Sequence, residues 1–375
     1  MQNNSERRIP VNKLLLVTLL CCLGIAAYSN SLHNSFHFDD EQAIVENLNI
    51  KNLANLRLIW DYGPTRSLTT LSLAFNYHLH KLDVFGYHLF NLAIHLCTAI
   101  LAWWFVLLTF ATPPMKKDKI SGHASTIAFF TAAVFAVHPI QTEAVTYIIQ
   151  RTAVLAALFY LLSLCLYIKS RMLQIEGSDS KSNYNFYYTA SLLAALAGIY
   201  TKETIITLPV AIVLYEFCFL KNQGRFNWRR ILPFFIISLI IPLTAIFRIS
   251  EHNPGIPQIH YLLTQPRVMI TYLRLLFIPV NQNLDYDYPI IKTLFDPAAL
   301  TGILSIVLIL IIAIRLFHRY RLLSFAVFWF FLVLLPESSI FPIHDVIFEH
   351  RLYLAVLGYG IFLVSAVYYL FKKMG

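Results

Sequence analysis

Long apolar runs follow one another along most of this sequence, and they constrain its fold more than any other feature. Ten runs are about 17–25 residues long, the length an α-helix needs to cross the hydrocarbon core of a bilayer. They lie at residues 13–30, 87–110, 123–141, 149–168, 184–200, 204–220, 231–249, 297–314, 322–340 and 352–371. The sequence therefore predicts an all-α polytopic membrane protein with about ten transmembrane helices.

The composition agrees with a membrane protein and argues against a nucleic-acid-binding protein. Of the 375 residues, 58% are hydrophobic and 13% are charged, which leaves too little polar surface to cover a water-soluble core. The net charge is +9. Since the basic residues are spread over short loops and do not form one exposed face, we predict no nucleic-acid partner.

The distribution of charge predicts which loops face the cytoplasm. With a cytoplasmic N-terminus and residues 259–280 not crossing, the inner side holds 18 of the 29 lysines and arginines, and the outer side holds 15 of the 20 acidic residues. This is the positive-inside pattern. A crossing at 259–280 would reverse it for the basic residues near 315–321 and at the C-terminus. We therefore expect an interfacial or re-entrant segment near 259–280 and both termini in the cytoplasm.

The outer loops carry the unusual polar residues. We treat residues 1–375 as a single membrane domain whose site is formed by the outer loops 30–86, 142–149, 250–296 and 336–351. In the long first outer loop, residues 68–82 have the pattern of an amphipathic helix, which lies either on the membrane or against the bundle. A site for chemistry would therefore face outward.

Acidic residues next to the membrane are the first candidates for that site. Asp39 and Asp40 follow the first helix within a few residues, and Glu143 follows Pro139 at the end of the third helix. Adjacent acids in a partly desolvated cleft repel each other, which raises at least one pKa and suits a general base or a cation ligand. A solvated turn is the alternative for Asp39 and Asp40, and an ion pair with Arg151 is the alternative for Glu143.

Basic residues at outer helix ends are the second group of candidates. Lys202 and Arg351 lie at such ends, where a cation can bind a lipid phosphate without entering the middle of the bilayer. For both, snorkelling to the headgroups is the alternative. His88, Asn91 and His95 share one face of the second helix, and hydrogen bonding between helices is the alternative there to a ligand role.

Several segments together resemble one family, the transmembrane O-mannosyltransferases that carry tetratricopeptide repeats, and through it the GT-C glycosyltransferases. The segments are Phe38-Asp39-Asp40, Arg66-Ser67-Leu68-Thr69, Phe85 to Asn91, His138 to Val145, Arg151, Lys202-Glu203 and Glu349 to Leu354. The resemblance covers nearly the whole chain, and residues 138–145 are its most specific part. Ser67 stands where the family usually has proline.

The resemblance implies roles for individual residues. Asp39 would deprotonate an acceptor hydroxyl with Asp40 as its partner, and Glu143 would support the acceptor or, with Asp40, a divalent cation. Arg151, Lys202 and Arg351 would bind the donor phosphate. Other residues expected around the pocket are Arg66, His88, His138, Glu203, Glu349, His350 and Tyr353.

The resemblance also implies an activity and partners. We expect an inverting transfer of a sugar from a polyprenyl- or dolichyl-phosphate donor to a hydroxyl acceptor on a protein, a glycan or a lipid, with a divalent cation as the cofactor to consider. The alternatives are a transporter or flippase of a lipid-linked sugar and a non-catalytic subunit of a polysaccharide assembly complex. A transporter should show deep charges and broken helices in an internal repeat, which this sequence lacks.

The sequence also gives expectations for a partner chain and for the membrane in which the protein lies. No repeat region follows the last predicted helix, so we expect the contribution of the repeats to acceptor choice to be either absent or supplied by another chain. The compact chain favours the bacterial inner membrane, with a periplasmic site, over the endoplasmic reticulum.

Overall fold

The computed structural model is mainly helical in the part of the chain that it describes. That part comprises residues 12–177, 181–220, 227–241, 255–338, 342 and 345–374, and it contains no β-strand. The prediction of an all-α polytopic membrane protein is confirmed.

The helices alternate with short turns. In chain order they are α1 (Lys13–Tyr28), α2 (Leu56–Tyr62), α3 (Ser67–His80), α4 (Val84–Ala111), α5 (Ala124–Val137), α6 (Thr142–Thr146), α7 (Arg151–Ile175), α8 (Lys181–Ile199), α9 (Leu208–Tyr215), α10 (Trp228–Ser238), α11 (Gln258–Phe277), α12 (Pro297–Leu316), α13 (Arg321–Leu334) and α14 (Ala355–Met374). One helical turn, Pro113–Lys116, follows α4.

Seven stretches of the described chain are long and apolar enough to cross a membrane. They are Lys13–Ser31, Val84–Ala111, Lys119–Val137, Ile148–Ile175, Glu203–Leu220, Pro297–Leu316 and Ala355–Lys372. The other three predicted spans correspond to α8, α10 and α13. Of these, α8 begins with polar residues and α13 is a shorter apolar helix, while residues 242–249 of the span that contains α10 lie outside the described residues.

The core forms where α4, α5 and α7 pack together with α13 and α14. Small residues let α4 and α5 approach closely, and Ala99, Ala102, Ala128 and Ala132 are fully buried. Close approach between helices increases the dispersion contacts that hold helices together in a bilayer. The polar stripe on α4 points into this interior: Asn91 donates to the carbonyl of Ile148, and the His95 ring bonds to the carbonyl of Ala136. The alternative of hydrogen bonding between helices is confirmed for these two residues.

Residues 258–277 form one continuous helix, α11, with no break in the middle at which the chain could turn back. Its side chains bond along its length to the last predicted outer loop: Tyr261 to the carbonyl of Glu337 (2.5 Å), Gln265 to that of Val346 (3.4 Å) and Tyr272 to that of Phe348 (2.9 Å). A Cβ atom at Gly302 of α12 would lie 2.8 Å from the Pro266 backbone, so glycine permits the close contact between α11 and α12. These contacts support the interfacial alternative.

The amphipathic helix of the first outer loop is confirmed as α3, although its apolar side does not face the bundle. Phe75 and Leu79 are exposed, whereas Ala74 and Asn76 are buried against neighbouring elements. Asn76 donates to the carbonyl of Gly86 at the start of α4. The orientation leaves the apolar side free to lie on a membrane surface.

Candidate functional site

A buried acid–base pair joins two outer turns at one end of the bundle. Pro139 ends the helical path of α5, and the following turn leads into α6, which carries Glu143. The Glu143 carboxyl bonds to His350 twice, at 2.5 Å to the Nδ1 atom of its ring and at 2.8 Å to its backbone N–H. Burial raises the pKa of Glu143 to about 8 and holds the pKa of His350 well below its usual range. The alternative pair of Glu143 with Arg151 is therefore wrong.

Next to this pair, one carboxylate lies between two cations. The Lys202 ammonium is 2.7 Å from Glu337 Oε1, and Arg351 Nε is 4.0 Å from Glu337 Oε2. All three side chains are buried. Arg351 also donates to the carbonyls of Asp345 (2.7 Å) and Val346 (3.1 Å), so its guanidinium holds the last outer loop in place. Lys202 and Arg351 therefore do not snorkel to the membrane surface.

A second ion pair extends the cluster toward the first outer loop. Arg66 lies 3.2 Å from Glu203, and both side chains are about half exposed. Arg66 also interacts electrostatically with Glu337 and Asp39. Glu143 interacts in the same way with Lys202 and Glu349, and His350 interacts with Lys202, Arg351 and Arg66. The predicted residues 39, 66, 143, 202, 203, 349, 350 and 351 are thus brought together in one charged cluster, which we call the outer cluster.

Asp39 enters the outer cluster from a constrained turn. The preceding residue, Phe38, has a positive φ of 50° and an exposed side chain. Such a backbone conformation is unfavourable for a large residue and persists where neighbouring contacts enforce it. Here the Asp39 N–H donates to the Tyr147 hydroxyl at 2.9 Å, and the His37 ring stacks on Tyr147. The turn presents the Asp39 carboxylate at an exposed position.

The neighbouring Asp40 is buried, whereas Asp39 is exposed. Its side chain is 0% exposed, and Oδ1 accepts from the Ile149 N–H at 2.8 Å, while none of the described residues donates to Oδ2. Burial raises the pKa of Asp40 to about 6. Asp40 thus fixes the first outer loop to the turn before α7, while Asp39 remains accessible.

Glu349 has a supporting position beside Glu143. Its carboxylate accepts hydrogen bonds from Gln282 (2.7 Å), the Asn283 N–H (2.8 Å) and the Tyr286 hydroxyl (2.5 Å). These donors belong to the loop that follows α11. Glu349 therefore attaches that loop to the turn that carries His350 and Arg351.

Arg151 lies away from the position that the sequence predicts for it. It is 0% exposed, and its guanidinium donates to Asn91 Oδ1 (2.6 Å), the Ser72 carbonyl (3.1 Å) and the Tyr87 carbonyl (3.1 Å). The rings of Tyr87 and Phe90 lie against it. Because these contacts join α3, α4 and α7, we leave Arg151 out of the donor site.

Three further predicted pocket residues make hydrogen bonds to neighbouring elements of the fold. His138 bonds to the Leu276 carbonyl (2.9 Å), and His88 bonds to the Asn34 carbonyl (2.9 Å). The Tyr353 hydroxyl bonds to His95 at 2.8 Å in the interior. Each of the three fixes one element against another, and their place around a pocket stays a prediction.

The predicted divalent-cation site at Asp40 and Glu143 fits the structure poorly. Asp40 bonds to the Ile149 N–H, and both carboxyl oxygens of Glu143 bond to His350. Across the described ranges, no group of three or more His, Cys, Asp and Glu side chains is arranged to hold a metal ion. We therefore derive no step that passes through a cation.

Two residues of the site were not predicted. Glu337 contacts both candidate phosphate-binding cations, and its signal is a single acid at the outer end of an apolar run, where a charge needs a partner. Tyr147 holds the Asp39 turn, and nothing in its spacing distinguishes it from the other aromatic residues of this sequence.

Fold and site together define a polytopic all-α membrane protein with a charged cluster, partly buried, at one end of its helix bundle. The chain is similar in sequence to proteins named protein O-mannosyl-transferase, so the resemblance found in the motifs is confirmed. Relatives include Tmtc3 of Drosophila melanogaster, 33% identical over 58% of this chain, and F38B6.6 of Caenorhabditis elegans, 27% identical over 95% of it. Human TMTC1 is 31% identical over 55% of the chain.

The similarity has defined limits. The matched regions span 25% of the Drosophila protein, 51% of the nematode protein and 24% of the human protein, so the chain spans about half or less of the curated relatives it matches. No family model matches the chain, and no solved structure is detectably similar to it. Because these relatives come from animals, they give no support to the predicted bacterial inner membrane.

Proposed function

We propose that this protein is a glycosyltransferase that attaches mannose to hydroxyl groups of proteins. The observation that carries the proposal is the outer cluster, in which the exposed carboxylate of Asp39 lies within electrostatic range of Arg66. Arg66 in turn lies within electrostatic range of Glu337, which pairs with Lys202 and Arg351. The names of the relatives support both the sugar and the protein acceptor.

The proposed donor is a mannose carried on a polyprenyl or dolichyl phosphate. Its isoprenoid chain stays in the bilayer while its phosphate lies at the hydrocarbon boundary. Lys202 and Arg351 lie at helix ends, where they can attract this phosphate without a charge at the bilayer centre. The bundle and the cluster thus suit the two halves of an amphipathic donor.

In the proposed reaction, the acceptor hydroxyl attacks C1 of the sugar and inverts its configuration. The bond between C1 and the phosphate oxygen breaks, and its electrons leave with the lipid phosphate. The hydroxyl proton passes to the Asp39 carboxylate, and the new glycosidic bond joins sugar and protein. The cations stabilise the negative charge that develops on the phosphate, which is where fixed charges accelerate a reaction.

Glu143 and His350 have a positioning role in this proposal. Their hydrogen bonds attach α6 to the turn Glu349–Leu352, which carries Arg351. A neutral, buried pair can fix this geometry without adding charge to the site. Catalysis depends strongly on such positioning.

We place the reaction on the extracytoplasmic side of the membrane. The proposal rests on the positive-inside pattern, which assigns the loops that carry the outer cluster to the outer side. The identity of the membrane remains a prediction from the sequence.

The proposed function is tested by the transfer of radiolabelled mannose from polyprenyl-phosphate mannose to an acceptor peptide that contains serine and threonine. We expect transfer by the purified protein, and a loss of about 10²–10⁴-fold in Asp39→Asn, because the amide cannot accept the hydroxyl proton. Asp61→Asn is the matched control, since Asp61 is an exposed acid of the same loop. Transfer by Asp39→Asn at the wild-type rate would show that Asp39 is not the base.

A further inference from the structure

The cations of the outer cluster are already partly neutralised by carboxylates of the chain itself. Glu337 contacts Lys202 and Arg351, and Glu203 contacts Arg66. Arg66 and Glu203 balance each other, whereas the two proposed phosphate-binding cations, Lys202 and Arg351, share the single negative charge of Glu337. One positive charge is therefore left at the proposed phosphate site. Glu349 and Asp39 also carry negative charges, but within the described residues neither forms an ion pair with Lys202 or Arg351. Glu349 accepts hydrogen bonds from three neutral donors, and Asp39 is exposed.

Contacts of both its backbone and its side chain hold Glu337 between the two cations. Its carbonyl accepts from the Tyr261 hydroxyl of α11, and its carboxylate is buried between Lys202 and Arg351. One carboxylate oxygen, Oε2, accepts no hydrogen bond in the described part of the chain. A buried charge in this state is unfavourable unless the surrounding cations compensate for it.

The donor and the product of the proposed reaction differ in charge. A sugar linked through phosphate to a lipid is a phosphodiester with one negative charge. The lipid phosphate that leaves is a monoester, which carries about 1.5 to 2 negative charges at neutral pH because its second pKa is about 6. A site with one uncompensated positive charge matches the donor better than the product.

We propose that Glu337 is a specificity-determining residue, which cancels one positive charge so that the site binds a monoanionic phosphodiester and releases a dianionic phosphomonoester. The inference rests on the proposed function and adds to it a reason why the product leaves. Without Glu337, the extra positive charge would attract the dianion about twice as strongly as the monoanion. Product release would then be slower.

The test measures the affinity of purified protein for two probes, farnesyl phosphate and its methyl diester, at a fixed pH well above the second phosphate pKa of about 6. The quantity of interest is the ratio of monoester affinity to diester affinity. In Glu337→Gln, which keeps the shape of the side chain, we expect this ratio to rise about tenfold. In Lys202→Gln, which removes one positive charge, we expect the ratio to fall by a similar factor.

The double variant Lys202→Gln with Glu337→Gln restores the net charge, so its ratio should return to the wild-type value. Glu46→Gln, a change at an exposed acid of the first outer loop, should leave the ratio unchanged. If Glu337→Gln does not fold, Lys202→Gln and the double variant still test the inference. A ratio that does not follow the charge overturns it, whereas a wild-type protein that binds neither probe overturns the proposed donor chemistry.

Discussion

Glu143 and His350 share a hydrogen bond in surroundings where burial disfavours a charge on either side chain. The carboxyl pKa of about 8 exceeds the value of about 4.3 for glutamate in an unfolded chain. A carboxyl whose pKa is raised by folding contributes stability that is complete below its unfolded pKa. That contribution is lost as the pH rises through its folded pKa. The pair is thus expected to make stability depend on pH.

We predict that Glu143→Gln removes this dependence. Between about pH 5 and about pH 8, the wild-type melting temperature should fall relative to that of the variant, because only the wild type has a carboxyl that stays protonated in the folded protein and ionises when the chain unfolds. Thermal unfolding of both proteins in the same detergent at several pH values provides the measurement, and the other titrating groups cancel in the difference. A constant difference across this range would mean that Glu143 is ionised throughout.

Arg151 is expected to act on stability and not on donor binding. We predict that Arg151→Gln lowers the free energy of unfolding by about 3 kcal/mol or more, since the buried acceptors on Asn91, Ser72 and Tyr87 lose a charged donor. Thermal unfolding gives the loss, and donor titrations give KM. An unchanged melting temperature together with a raised donor KM would return Arg151 to the phosphate site.

At the scale of single elements, the turn before Asp39 is the part of the site under most constraint. Phe38 has a positive φ, which glycine adopts easily and a β-branched residue adopts with difficulty. We predict that Phe38→Gly keeps most of the transfer activity, whereas Phe38→Val loses about tenfold or more, because a small displacement of a base lowers the rate strongly. Transfer assays on both folded variants test this. Equal activities would show that the turn does not position Asp39.

For the individual elements, the sequence predicts where the helices lie well, but it predicts poorly which neighbouring elements each helix packs against. The apolar runs locate the main helices, because length and hydropathy are local properties of the chain. The side on which α3 packs is not a local property of the chain. The threonines of α3 and Asn76 face the bundle, because polar contacts with neighbouring turns are available there. Such contacts depend on residues far away in the sequence, which periodicity alone does not reveal.

At the scale of the whole molecule, the outer cluster combines residues from four separate parts of the chain. Charged residues at helix ends predicted most of it, including Asp39, Lys202 and Arg351, since charge at the membrane surface is expected to have a purpose. The sequence could not predict that Arg151 lies outside the cluster and that Glu337 belongs to it. Both lie at outer ends of helices, and only the packing decides that Arg151 is enclosed by three helices while Glu337 faces the cations.

The central claim is that this cluster transfers a sugar from a lipid phosphate to a hydroxyl group. The most direct measurement follows both products together when purified protein is incubated with polyprenyl-phosphate mannose and an acceptor peptide. We predict one lipid phosphate released for each mannose found on the peptide by mass spectrometry. Intact donor moved across a vesicle membrane, with no sugar on the peptide and no lipid phosphate released, would contradict the claim.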